Sequence, residues 1–103
     1  MTIRARRVTN LTSRAFGDDE KEAASIERGD YEIITNADGH RWLWFCCPGP
    51  CKTVTAIALR PTRPDVAQSW EFDGNDEAPT LTPSINHVGC WHGWLSEGVF
   101  SSC

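Results

Sequence analysis

The chain of 103 residues has the length of one domain with a modest core. Hydrophobic residues make up 40% of it, five of them tryptophan, so the composition indicates a globular protein rather than a disordered one. The net charge of -4 argues against a general nucleic-acid-binding protein. The N-terminus lacks the apolar run of a signal peptide, and no segment approaches the roughly 20 apolar residues that span a membrane.

The first forty residues predict an N-terminal extension to the domain, with one strand and one short helix. Residues 2–9 predict the strand. Residues 17–29 predict a short helix or a polar loop, because acidic side chains can cap its start and Gly29 can end it. Residues 41–103 form the motif-bearing core of the same domain.

From residue 31 onward the pattern is that of β-strands. Residues 41–46 alternate with bulky side chains on both faces, which predicts a central strand in a hairpin with residues 31–34. The last two strands turn at residues 96–98, a loop length that places His92 opposite Cys103. Further strands are predicted at 52–59, 69–72, 90–95 and 99–102, with an edge or extended segment at 79–85. We predict a mainly β single domain, a small sandwich or open barrel of about five to seven strands.

Cysteine and histidine cluster in two distant segments, as in a tetrahedral zinc site. Cys47 and Cys51 flank a Pro-Gly-Pro turn, which lets two sulfur atoms face one ion. Cys90 and His92 are two residues apart and would share the inward face of a strand, and Cys103 lies on the strand paired with it. The favoured ligands of one structural zinc ion are therefore Cys47, Cys51, His92 and Cys103, with Cys90 as the replacement for one of the last two. Five cysteines in a cytoplasmic protein bind metal more often than they form disulfides.

The remaining candidates for chemistry have simpler interpretations. Cys46 should point away from Cys47 and is interpreted as a small buried hydrophobic residue. His40 is interpreted as a loop residue and His87 as a structural histidine, since His87 stands outside any usual ligand spacing from His92. The His-x-Glu motif of zinc deaminases and the His-Glu-x-x-His motif of zinc peptidases are both absent. No catalytic residue and no other cofactor-binding residue is predicted.

Taken together, four blocks of sequence resemble a family of small, largely uncharacterised zinc-binding proteins of bacteria and phages. Some members carry an ammonia monooxygenase label, and relatives accompany bacterial ubiquitin-like conjugation operons. The resemblance implies a metal site formed by Cys47, Cys51, the Cys90/His92 pair and Cys103. The matching blocks are residues 45–51 around Cys-Pro-Gly, 70–74 with Trp-Glu-Phe-Asp-Gly, 78–85 with Pro-Thr-Leu-Thr-Pro-Ser-Ile, and 90–98 with Cys-Trp-His-Gly-Trp-Leu and Gly98.

These observations favour a non-enzymatic, zinc-stabilised interaction module. It would be a phage or bacterial accessory or adaptor protein with a protein partner, for example an anti-defence inhibitor of a host enzyme. The alternative is a zinc-dependent hydrolase or an isopeptidase-like accessory enzyme with an open position at the metal. A second alternative is nucleic-acid binding through Arg4, Arg6 and Arg7, which the acidic net charge disfavours. We expect a cytosolic location, without a membrane partner.

Overall fold

The computed structural model describes residues 1–103, and the predicted mainly β domain is confirmed. Five of its ten strands have only two or three residues, and the other five have four to six. In chain order the elements are β1 (Thr2–Arg4), β2 (Arg6–Arg7), α1 (Leu11–Phe16), α2 (Glu20–Ala24), β3 (Asp30–Thr35), β4 (Arg41–Cys46), β5 (Val54–Leu59), β6 (Glu71–Phe72), β7 (Leu81–Thr82), β8 (Ile85–His87), β9 (Trp91–Ser96) and β10 (Val99–Ser102).

The strands form two four-stranded sheets and one small two-stranded sheet. The first sheet has the order β1-β10-β9-β8 and the second has the order β2-β3-β4-β5, while β6 pairs with β7. Neighbouring strands are antiparallel except for the parallel pair β2 and β3. Strands β1 and β8 are therefore the edges of the first sheet, and β2 and β5 are the edges of the second.

Both hairpins predicted from the sequence are present. Strand β4 lies between β3 and β5, as expected for a central strand, with Leu43 and Phe45 fully buried. In the last hairpin Gly93 pairs with Ser102, and the Cys103 amide donates to the His92 carbonyl at 3.0 Å. The predicted placement of His92 opposite Cys103 is confirmed.

The N-terminal segment differs from its prediction. The single strand expected at 2–9 is split at Ala5, because β1 joins the first sheet and β2 joins the second. The helix expected within 17–29 is the short α2, whose start is capped by the Asp19 carboxylate accepting from the Lys21 amide at 2.9 Å. Helix α1 precedes it in a segment with no helix prediction.

The core lies between the two larger sheets and joins them. The rings of Phe45 in β4 and Phe100 in β10 stack with centroids 5.6 Å apart, and Trp91 meets Phe100 edge-on at 5.8 Å. A second, smaller cluster contains Cys46, Leu11 of α1 and Ile26, which follows α2. Aromatic contacts of this kind add to the free energy gained by burial. The main core comprises Tyr31, Leu43, Phe45, Cys47, Ile57, Leu59, Leu81, Ile85, Trp91, Leu95 and Phe100.

Ion pairs hold the N-terminal arginines against the sheets. The Arg6 guanidinium donates to both oxygens of the buried Asp30 carboxylate at 2.8 and 2.9 Å, and this pairing raises the pKa of Arg6. Arg7 pairs with Glu77. Two of the three arginines considered for nucleic-acid contact are thus neutralised locally. Neither helix has the length or the apolar character needed to cross a membrane.

Substituting Phe100→Ala should destabilise the domain by about 3–5 kcal/mol, because Phe100 is fully buried between the sheets and its removal leaves a cavity. The matched control is Phe16→Ala, which removes a ring that is 65% exposed and should cost less than about 1 kcal/mol. Urea unfolding followed by tryptophan fluorescence measures both changes. Equal losses in the two variants would contradict the proposed position of the core.

Candidate functional site

Three cysteines and one histidine meet at the end of the β8–β9 hairpin. The ligand atoms of Cys47, Cys51, His87 and Cys90 all lie within 4.8 Å of one another. Cys47 and Cys51 follow β4, whereas His87 ends β8 and Cys90 immediately precedes β9. The group therefore links the second sheet to the first, and its four side chains are close enough to bind one metal ion.

Two short turns build this group. In the first, Gly49 has no room for a side chain, because a Cβ there would lie 2.7 Å from the Cys90 sulfur. In the second, the Cys90 amide donates to the His87 carbonyl at 2.9 Å, and Gly89 adopts a φ of 83° that favours glycine. Each turn thus presents two ligand side chains on one side.

The donor set suits zinc when the thiols are reduced. The Cys47 and Cys90 sulfurs lie 3.3 Å apart, and the Cys51 sulfur lies 3.9 Å from His87 Nδ1. These separations are close to the roughly 3.8 Å between sulfur ligands of a tetrahedral zinc ion. Cys51 and Cys90 form a disulfide with an S–S distance of 2.21 Å. Because a disulfide sulfur is not a thiolate, metal binding and this disulfide exclude each other.

The structure brings together three of the five predicted ligands and leaves the other two apart. Cys90 lies in the turn before β9, so it does not share a face with His92 as predicted. The strand begins at Trp91, and its buried residues are Trp91, Gly93 and Leu95, which puts His92 on the exposed face. The Cys103 thiol is free and exposed.

His87 is the ligand candidate that the sequence interpretation set aside. Its spacing was judged against His92, whereas the structure pairs it with Cys90. The informative signal is His-x2-Cys with Gly89 inside it, which has the spacing of a zinc half-site and resembles the turn between Cys47 and Cys51.

Cys46 is a buried thiol outside the metal-binding group, as predicted. Its side chain is fully buried, and its sulfur donates to the Lys52 carbonyl at 3.7 Å. Burial raises the pKa of Cys46 to about 11. Cys46 is not among the four residues whose ligand atoms lie within 4.8 Å of one another, so it takes no part in that group.

A second group with catalytic character lies on the exposed face of the same hairpin. The Ser84 hydroxyl and His92 Nε2 are 3.0 Å apart. Ser84 directly precedes β8, and the pairing of Asn86 with His92 brings the two strands into this register. Trp70 Nε1 donates to the Ser84 carbonyl at 3.3 Å and fixes the backbone at the serine. No carboxylate forms an ion pair or a hydrogen bond with His92, so the two residues form a dyad.

No sequence signal was assigned to this dyad. Ser84 stands in a proline-rich segment that was interpreted only as extended, and His92 was interpreted as a metal ligand. Eight residues separate the two. Their meeting depends on the β8–β9 register, which the loop residues 88–90 set and which was not predicted.

The fold and these two groups define a small β protein with a Cys3His group and a serine–histidine dyad. Residues 18–103 match the family described as "Bacterial ubiquitination-like system serine protease (BubE)", and the chain belongs to this family. The match agrees with the expected link to bacterial ubiquitin-like systems, while zinc binding stays a prediction. No curated protein and no solved structure matched the chain.

The reduced chain should bind one zinc ion. His87→Ala should weaken zinc binding by more than about 100-fold, because loss of a direct ligand should cost more than loss of an outer-shell partner, which costs up to about 100-fold. The matched control is His92→Ala, which should leave the stoichiometry at one. Elemental analysis and competition with a chromophoric chelator measure both. Treatment with diamide, which oxidises thiols to disulfides, should abolish binding. If His92→Ala lost zinc and His87→Ala kept it, the result would support the ligand set favoured from the sequence.

Proposed function

We propose that this chain is a serine peptidase of a bacterial ubiquitination-like system, with Ser84 as nucleophile and His92 as general base. One observation carries the proposal: Ser84 Oγ and His92 Nε2 lie 3.0 Å apart, at the distance over which a base accepts a proton from a hydroxyl group. The description of the family supports the same reaction class. The substrate is a peptide or isopeptide bond of a protein handled by that system.

The reaction proceeds through a covalent acyl-enzyme. Ser84 Oγ attacks the carbonyl carbon of the substrate while its proton passes to His92 Nε2. The tetrahedral intermediate collapses, the C–N bond breaks, and the leaving amine takes that proton. A water molecule then attacks the ester, gives its proton to His92, and releases the new carboxyl group as the proton returns to Ser84.

Contacts with the rest of the fold hold the dyad in position, although it has no carboxylate partner. The hydrogen bond from Trp70 to the Ser84 carbonyl holds the nucleophile from one side. Strand β9 holds His92 from the other, since its neighbours Trp91 and Gly93 are both buried. A serine–histidine dyad keeps the base and the nucleophile but lacks the acidic group that orients the imidazole in a triad.

The metal in this proposal is one structural zinc ion held by Cys47, Cys51, His87 and Cys90. Four protein ligands complete a tetrahedral site and leave no position for a reacting water molecule. When bound, zinc supplies a cross-link between the two larger sheets next to the dyad. This arrangement retains the structural zinc predicted from the sequence and differs from its zinc-hydrolase alternative, because the serine performs the chemistry.

The proposal departs from the non-enzymatic adaptor that the sequence alone favours. The observation that motivates the departure is the dyad, since an adaptor has no need for a serine and an imidazole at hydrogen-bond distance. Nucleic-acid binding is less well supported, because Arg6 and Arg7 already pair with Asp30 and Glu77. A protein partner remains part of the proposal as the substrate.

The reduced, zinc-loaded protein should react with a fluorophosphonate, a probe that modifies activated serines. Labelling should map to Ser84 by mass spectrometry and be lost in Ser84→Ala. The matched control is Ser96→Ala, which removes an exposed hydroxyl from the same face of β9 and should label like the wild type. His92→Gln should slow labelling by about 100-fold or more, since a general base contributes that much to the rate.

Thermal melts of each variant establish that it is folded before labelling is compared. Labelling that persists in the folded Ser84→Ala variant would contradict the assignment of the nucleophile. A folded wild-type protein that never reacts would support the non-enzymatic module instead.

A further inference from the structure

One cavity borders Ser84 of the dyad, and a second cavity shares three of its lining residues. The first has a volume of ≈ 430 Å³ and includes Ser84 in its wall. The second has a volume of ≈ 250 Å³ and lies farther along β8. Gln68, Trp70 and Asn86 line both cavities. We refer to the two cavities together as the β5–β8 groove, and Ser84 lines the larger of them.

The groove runs along the edges of strands β5 and β8. All of residues 55–58 in β5 and all of residues 85–87 in β8 line the smaller cavity. Since successive side chains of a strand point to opposite faces, a cavity on one face would be lined by alternate residues only. Consecutive residues line it here because it lies against the edges. The outer side of β8 has no strand partner. The outer side of β5 is bonded at its end to Trp70, whose amide donates to the Ala58 carbonyl at 2.9 Å and whose carbonyl accepts from the Arg60 amide at 2.9 Å.

The smaller cavity is mostly apolar: seven of its eleven lining residues are hydrophobic, and the others are Thr55, Gln68, Asn86 and His87. Its walls include Trp42, Phe45, Ile57, Trp70 and Ile85, and it contains no Asp, Glu, Lys or Arg. Ala56 also lines this cavity, and its half-buried side chain is a single methyl group. Such a cavity accepts a neutral aliphatic side chain, since a charged one would be desolvated without a partner.

We infer that the β5–β8 groove binds the substrate as an extended peptide, which pairs with the free edge of β8 and places one aliphatic side chain in the smaller cavity. An exposed strand edge binds such a peptide through backbone hydrogen bonds, while side-chain pockets give specificity. Ser84 directly precedes β8, so a peptide paired with this edge passes the nucleophile. The inference rests on the proposed peptidase function and names its substrate class, a segment with a residue such as Leu, Ile or Met at a fixed position from the cleaved bond.

The test uses a library of internally quenched decapeptides, with cleavage sites read by mass spectrometry. The wild-type protein should prefer Leu, Ile or Met at one position relative to the cut. Ala56→Leu fills the cavity and should lower kcat/KM for a peptide with Leu at that position by about 10-fold or more. It should leave a peptide with Ala there within about twofold of the wild type, because a methyl group barely enters the cavity. The matched control is Ala37→Leu in the exposed β3–β4 turn, which should change neither value.

Fluorophosphonate labelling of Ser84 in the same samples separates the two proposals. Loss of labelling in the folded wild type overturns the peptidase function itself. Normal labelling together with an uncut library, a cut without aliphatic preference, or an unchanged preference in Ala56→Leu overturns the groove while leaving the nucleophile in place. Normal labelling of Ala56→Leu with a selective loss of Leu peptides supports it.

Discussion

The antiparallel pairing of β8 with β9 is the interaction on which both functional groups depend. Three residue pairs, from Ile85 opposite Gly93 to His87 opposite Trp91, define the register. At the turn end this register places His87 and Cys90 beside the cysteines that follow β4, and on the exposed face it places His92 beside Ser84. A shift by one residue would turn every side chain of β8 to the other face and separate both groups at once.

Because the Cys3His group links the two larger sheets, a bond formed there would stabilise more than its immediate surroundings. A domain of this size buries a limited apolar area, so one cross-link contributes a substantial fraction of its stability. Here the cross-link lies where β4 of the second sheet ends and β9 of the first begins. The dyad is carried by the strands that this cross-link holds. The stability of the fold and the geometry of the Ser84–His92 pair are thus tied to the same few side chains.

How much of the molecule the sequence reveals depends on whether local patterns suffice. The β3–β4 and β9–β10 hairpins could be predicted because alternation and turn residues are local signals. Cys47, Cys51 and Cys90 could be predicted as candidate ligands because cysteines at such spacings are typical of zinc sites. The dyad could not, since it depends on the pairing of β8 with β9. His87 has a local signal in His-x2-Cys, which shows only when its spacing is counted to Cys90 and not to His92. Pro83 obscures the short strand β8. In β9 the buried face is that of Trp91, Gly93 and Leu95, not that of His92, so His92 points outward.

If the free edge of β8 binds the substrate, it limits which proteins a peptidase of this kind would cleave. Backbone groups on an unpaired edge can bond only to a chain whose own amides and carbonyls are not already engaged. Residues inside helices and sheets of a native protein fail this condition, whereas tails, linkers and unfolded chains meet it. The conformational state of a target would therefore protect it more reliably than its sequence, and a compact cellular protein would be resistant even where it contains a suitable leucine.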